Sequence, residues 1–395
     1  MRNIVGIPAK GEDFYHRQNE IDKISSRLRA GNNLQIAAPR RVGKTSILHF
    51  LKDNQVDGHI YVYVDTERVD NEQDFYKKLL KAIVKIELIT SSQKLAYLLK
   101  EKLKFFKGIK SIKVMGHGID FSEDDQVPDF YEEITNFLSG FELEEDKKLI
   151  FLIDEFPQTI LNIIDRNSGN TKEAIQFLQS NRELRLNADI LGKIQFVYTG
   201  SIGLNHTVAS INASAFVNDL NSTDVAPLTP EEAAELVNIL LQDKGITIAD
   251  NCLVYLLDKI KWLIPFHIQL AVQEMTMLSR EAMTIVIETI DRAFDQMVDS
   301  RNHNHFEHYY SRLRTQFKGA DFKFAEAILN IAAVEGMISK GTIYDQAVAF
   351  HVNDQVRQIV EILAYDGYIN NNADIQTYQF NSPLVRLWWQ KFICK

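Results

Sequence analysis

The segment Ala38-Pro39-Arg40-Arg41-Val42-Gly43-Lys44-Thr45, followed by Ser46, places a glycine, a lysine and a hydroxyl in succession. That order suits a clustered polyanion. Backbone N–H groups can turn inward, the glycine permits close approach, the ammonium meets the outer phosphates and the hydroxyl holds a magnesium ion. Pro39, Arg40, Arg41, Val42, Gly43, Lys44, Thr45 and Ser46 are therefore expected to bind ATP, with Thr45 on Mg²⁺. Ala38 stands where the phosphate-loop pattern G-x-x-x-x-G-K-[ST] has its first glycine, a departure that matters if the position needs positive φ.

About a hundred residues later, Leu149-Ile150-Phe151-Leu152-Ile153-Asp154-Glu155 puts two carboxylates after an apolar run. The run suits a buried strand, at whose end Asp154 can hold Mg²⁺ while Glu155 polarises a water for attack on the terminal phosphate. Hydrolysis is expected, and not binding alone. An arginine commonly neutralises charge in that transition state, and Arg182 and Arg185 are candidates. Ser201 or Thr199, ending the next strand, can hydrogen-bond the attacking water or the γ-phosphate.

These groups need a frame, and the surrounding pattern supplies one. Ile21, Ile24 and Leu28 recur at helical spacing before the strand Leu34-Gln35-Ile36-Ala37, and the helix from Ser46 to Leu51 follows the loop. A second strand covers Ile60 to Val64 and a helix Asp74 to Ile86. Another helix, Thr171 to Leu186, precedes a strand from Ile194 to Tyr198. Alternating strands and helices imply an α/β fold with a parallel sheet covered on both faces.

Lys94, Lys100, Lys102, Lys104, Lys107, Lys110 and Lys113 face the single acid Glu101, so an insertion over about 94–125 is expected, its second half forming a hairpin. From Pro227-Leu228-Thr229-Pro230 onward helices dominate. The polar run from Ser300 to His305 suggests a boundary, beyond which three helices and a hairpin read as a winged helix. The expected division is an ATPase core at 1–225, a helical lid at 226–300 and a winged-helix module at 301–395.

Composition narrows the class. The chain has 395 residues, 45% hydrophobic and 25% charged, with a net charge of −9 and no apolar run long enough to span a membrane. A cytoplasmic protein without a membrane partner is expected. Its two cysteines, Cys252 and Cys394, have no metal-ligand spacing. His303, His305 and His308 lack a fixed carboxylate or thiol, and Trp388-Trp389 reads as core.

Together, Asp13-Phe14-Tyr15-His16-Arg17 with Glu20, the phosphate loop, Phe-Leu-Ile-Asp-Glu-Phe, Tyr-Thr-Gly-Ser-Ile-Gly-Leu at 198–204, Pro-Leu-Thr-Pro-Glu-Glu-Ala and Ile264-Pro265-Phe266-His267 resemble the archaeal-type ATPase family. That family is a branch of the AAA+ and STAND P-loop NTPases. The resemblance implies an AAA+-like core, lid and winged helix. It also implies Tyr15 and Arg17 near the adenine, Ser201 as sensor and Pro265 as a lid contact to nucleotide. The family box commonly has glycine where His16 stands, and no second-sensor arginine is evident.

The resulting expectation is a slow ATPase switch, read by a protein partner or by its own copies through the C-terminal module. The alternative is a DNA-binding ATPase related to origin-recognition proteins. Acids and bases are equal, nine each, from Phe306 to Lys395, and the expected recognition helix offers Arg357 alone. Nucleic acid is therefore not favoured for that module, while the lysine-rich insertion keeps it open.

Overall fold

The structure, a computed structural model, describes residues 1–85, 111–114, 117–120, 129–141, 143, 147–279 and 284–394. By contact they divide into two compact units. One comprises Arg17–Ala37 and Ile47–Asp224; the other comprises Met1–His16, Ala38–Ser46 and Val225–Lys395.

In the first unit the strands are β1 (Leu34–Ala37), β2 (Ile60–Asp65), the hairpin strands β3 (Ser111–Val114) and β4 (His117–Asp120), β5 (Leu149–Asp154), β6 (Ile194–Thr199) and β7 (Asn221–Asp224). All but the hairpin form one parallel sheet in the order β2-β5-β6-β1-β7. All six residues of β5 are buried, which is why its sequence is an unbroken apolar run and not an alternating one. Phe151 of β5 stacks on Phe196 of β6, with centroids 5.3 Å apart. Phe75, Phe156, Phe177 and Tyr198 interlock beside them, and each fully buried phenylalanine contributes roughly 2–3 kcal/mol. The polar strand β7, Asn-Ser-Thr-Asp, escapes sequence patterning because ladder pairing with β1, from Leu34↔Asn221 to Ala37↔Asp224, defines it.

Helices Gln18–Arg29, Glu72–Val84, Phe130–Ser139, Phe156–Arg166, Lys172–Leu186 and Leu204–Ser210 belong to this unit. The expected hairpin after the lysine run is present as β3 and β4, paired Ser111↔Asp120 to Val114↔His117. Lys94, Lys100, Lys102, Lys104, Lys107 and Lys110 lie outside the described residues.

The second unit is mainly helical. Thr229 and Glu232 form a reciprocal capping box and Pro230 sits in the first turn, fixing where the helix Pro230–Gln242 starts. Helices Asp250–Ile260, Pro265–Leu278 and Ile287–Met297 follow, with short parallel strands β8 (Thr247–Ile248) and β9 (Thr284–Ile285). Helices Asn304–Gln316, Gly319–Glu335, Lys340–Phe350, Val356–Tyr365 and Pro383–Phe392 accompany strands β10 (Ile338–Ser339), β11 (Ile369–Asn370) and β12 (Thr377–Phe380), ordered β10-β12-β11 and antiparallel.

The polar run at 300–305 differs from a loose connection. Asn302 is 5% exposed and donates to Glu274 Oε1 and to the Gln296 carbonyl, and Arg301 pairs with Glu274. His303 accepts from the Trp388 indole. Arg312, in the helix that follows, makes a buried bidentate pair with Asp366 at 2.6 and 3.1 Å. These polar side chains are spent on internal hydrogen bonds, so the segment is packed. Trp388 and Trp389 are fully buried, as core. Among the described residues no helix is long and apolar enough to cross a membrane.

Candidate nucleotide site

The loop leaves the end of β1 and runs into the helix Lys44–Asn54. Ala38 is buried and does not adopt positive φ, so its methyl group is compatible with the backbone. The left-handed positions are Arg41 (φ +66°) and Gly43 (φ +101°). A Cβ at position 43 would meet nothing within 4 Å, so conformation and not space requires glycine there. Lys44 is buried, and its ammonium donates to the carbonyls of Ala38 and Pro39 at 2.7 Å each.

Within the second unit the loop is embraced by distant segments. The Arg41 guanidinium lies 3.8 Å from the centre of the Phe266 ring, one residue beyond Pro265. Its Nη1 is buried without a partner, and burial pulls its pKa down to about 10. Pro39 approaches Gly367 so closely that a Cβ there would fall 3.0 Å from the Pro39 Cβ and 2.8 Å from the Trp262 ring. Tyr15 donates its hydroxyl to Glu235 at 2.6 Å.

In the first unit, Asp154 ends β5, 4% exposed, and its Oδ2 accepts the Tyr63 hydroxyl at 3.1 Å. Burial and the Asp154 charge push the Tyr63 phenol up, which keeps it a hydrogen-bond donor. Glu155 is left-handed (φ +59°, ψ +33°), the bend that stops β5 and starts the helix Phe156–Arg166. One of its carboxylate oxygens accepts both the backbone N–H and the hydroxyl of Ser201, each at 2.9 Å. Gly200 permits that approach, since a Cβ there would lie 2.6 Å from Pro157 Cδ. Thr199 Oγ1 is buried with no partner.

The residues present fit a magnesium nucleotide. Within the second unit Lys44 is a buried ammonium whose carbonyl partners a phosphate oxygen can replace, and within the first unit Asp154 is a buried carboxylate of the kind that can hold Mg²⁺. Bound Mg²⁺ would neutralise charge on the phosphates.

Other expected site residues are engaged elsewhere. Arg17 is 2% exposed and pairs with Glu20 at 3.4 Å. Arg185, a candidate finger, is 1% exposed. Its Nε and Nη2 clasp Asp219 at 2.8 Å and Nη1 donates to Asn181 at 2.6 Å. A guanidinium with every nitrogen so bound cannot reach a phosphate without breaking a buried pair, which corrects its assignment as a finger. Arg182 is 37% exposed, 3.8 Å from Asp219. Sequence reasoning missed Tyr63, Gly200, Trp262 and Gly367. Only Gly200 carried a signal, lying within the quoted Tyr-Thr-Gly-Ser segment.

No protein-family model matches the sequence, and no curated protein matches it. Among solved structures, the chain is similar to a Walker-type ATPase of Pyrococcus abyssi at 15% identity and a TM-score of 0.65, covering 99% of this chain and 100% of that one. It is also similar to the ORC2 protein of Aeropyrum pernix, solved in ADPNP and ADP complexes, at 12% identity and a TM-score of 0.53, covering 99% and 97%. The fold is thus that of AAA+ P-loop ATPases.

Proposed function

We propose that the chain binds ATP with Mg²⁺ and hydrolyses it, and that the nucleotide state is coupled to a second activity of the protein. The observation that carries this reading is Glu155, left-handed at the end of a fully buried strand and held by two donors of Ser201. A general base needs a fixed carboxylate beside the attacking water. In this reading Lys44 draws the outer phosphates and Asp154 with Thr45 holds the metal. Thr199 and Ser201 face the phosphate or water, and Arg182 is the remaining finger candidate. Tyr15, Arg17 and Pro265 are proposed on the nucleotide's base side.

Nucleotide would be felt beyond the loop because Arg41 and Pro39 are packed on Phe266 and beside Gly367. The three helices Gly319–Glu335, Lys340–Phe350 and Val356–Tyr365, with β10, β11 and β12, are read as a winged-helix module within a lid-plus-module arrangement divided near 225 and 300.

Of the two outputs, likeness over nearly the full length to an origin-recognition protein supports the DNA-binding one better than the STAND-type switch. The helix Val356–Tyr365 is a poor phosphate reader, since Arg357 is ion-paired with Glu361 at 2.7 Å. Exposed Val334, Met337, Tyr344, Val348 and Ile375 support a protein-reading surface on the same module. Binding of duplex DNA, titrated with salt in the presence of a non-hydrolysable ATP analogue, separates the outputs. Affinity falling steeply with salt supports DNA; negligible binding at low salt leaves the switch.

A further inference from the structure

A groove of ≈ 630 Å³ lies in the first unit and shares Tyr63 with the surroundings of Asp154. Five consecutive residues of β2, Tyr61 to Asp65, line it. Side chains of a strand alternate between faces, so a groove touching five in succession opens on the strand's edge, where backbone groups lie. Among the described residues β2 pairs only with β5, leaving that edge open. An open edge is a template for another strand.

The opposite wall is cationic. Lys77, Lys78, Lys81 and Lys85 line it from the helix Glu72–Val84 and its end, joined by Arg68 and by Lys52, which pairs with Asp53. Asp65 and Asp74 are the acids of the lining; Asp65 accepts the backbone N–H of Glu67, and the Asp74 carboxylate accepts the side-chain amide of Asn71. None of Arg68, Lys77, Lys78, Lys81 and Lys85 has a carboxylate within ion-pair distance among the described residues, and burial with the neighbouring Lys77 and Lys85 lowers the pKa of Lys81. Lys77, Lys81 and Lys85 recur every ~6 Å along a helix, and alternate side chains of an extended chain recur every ~6.6 Å. The aromatic rings there do not offer a stacking platform, since Tyr61 is buried and Tyr63 packs on His49 with centroids 4.4 Å apart.

We propose that this groove docks an extended acidic segment of a partner protein, which adds to the sheet along β2 while its carboxylates meet the lysine row. Main-chain pairing supplies affinity and the lysines select an acidic sequence.

The test uses the full chain and a fluorescent ten-residue peptide of alternating glutamate and valine, followed by anisotropy. The account expects binding that weakens with salt and falls roughly tenfold in Lys78→Glu/Lys81→Glu. A milder fall is expected in Lys78→Gln/Lys81→Gln, with thermal melting unchanged in both. A peptide N-methylated at every second residue should not bind, since it cannot pair. Equal binding of the methylated peptide, unchanged affinity in the variants, no binding at low salt, or displacement of the peptide by oligothymidine would each overturn the proposal.

Discussion

Ser201 presents two donors, its backbone N–H and its hydroxyl, to one oxygen of Glu155, each at 2.9 Å. Because one donor is backbone, removing the hydroxyl weakens the hold without abolishing it. Ser201→Ala should lower kcat about tenfold and leave ATP affinity unchanged, measured by steady-state turnover and calorimetry. Unchanged kcat would show that the hydroxyl does not position the base.

Arg182 and Arg185 are three residues apart in sequence but differ in what holds them. Arg185→Ala should destabilise the protein by about 1–3 kcal/mol in denaturant titration, because it removes a buried side chain that hydrogen-bonds Asn181, the Phe216 carbonyl and Asp219. Arg182→Ala should melt normally. If Arg182 acts on a neighbouring subunit, mixing it with Glu155→Gln restores turnover that neither variant shows alone.

Gly367 combines φ +83° with close contact to Pro39 and Trp262. Gly367→Ala should cost about 1–2 kcal/mol from backbone conformation alone, and the displaced Pro39 should weaken ATP binding severalfold although residue 367 is remote in sequence from the loop. Gly341→Ala, whose new methyl would meet only Ser339 Oγ at 3.6 Å, serves as the neutral control. Equal ATP affinity in both variants would disconnect Gly367 from the loop.

His267 is fully buried, and burial lowers its pKa to about 3. The unfolded chain takes up a proton on this residue near pH 6.5 while the folded chain does not, so stability is present above pH 6.5 and is lost as pH falls toward 3. At pH 5 the loss attributable to His267 is about 2 kcal/mol. His267→Phe should have a flatter dependence of Tm on pH between 7 and 5 than the natural chain; an equal slope would contradict the assignment.

The parts legible in sequence were those written locally. Lys44 and Thr45 follow Gly43 directly, and the burial of β5 on both faces is why Asp154 and Glu155 stand out after an apolar run. What escaped depends on pairing between distant segments. The polar strand β7 exists through β1, and the polar run at 300–305 read as a boundary because the packing of Asn302 on Glu274 comes from a distant segment. Arg185 stood level with Arg182 as a finger candidate because its partner Asp219 lies far along the chain. Gly367 and Trp262 carried no motif, since their part is to fit around Pro39.

The central claim, a phosphate loop serving a hydrolytic carboxylate, is tested most directly by calorimetry of Mg·ATP binding to Lys44→Ala and Glu155→Gln, paired with turnover. The account predicts affinity weakened roughly a hundredfold in Lys44→Ala. For Glu155→Gln it predicts unchanged affinity with turnover reduced at least ~10². Undiminished affinity in Lys44→Ala, or undiminished turnover in Glu155→Gln, would contradict it.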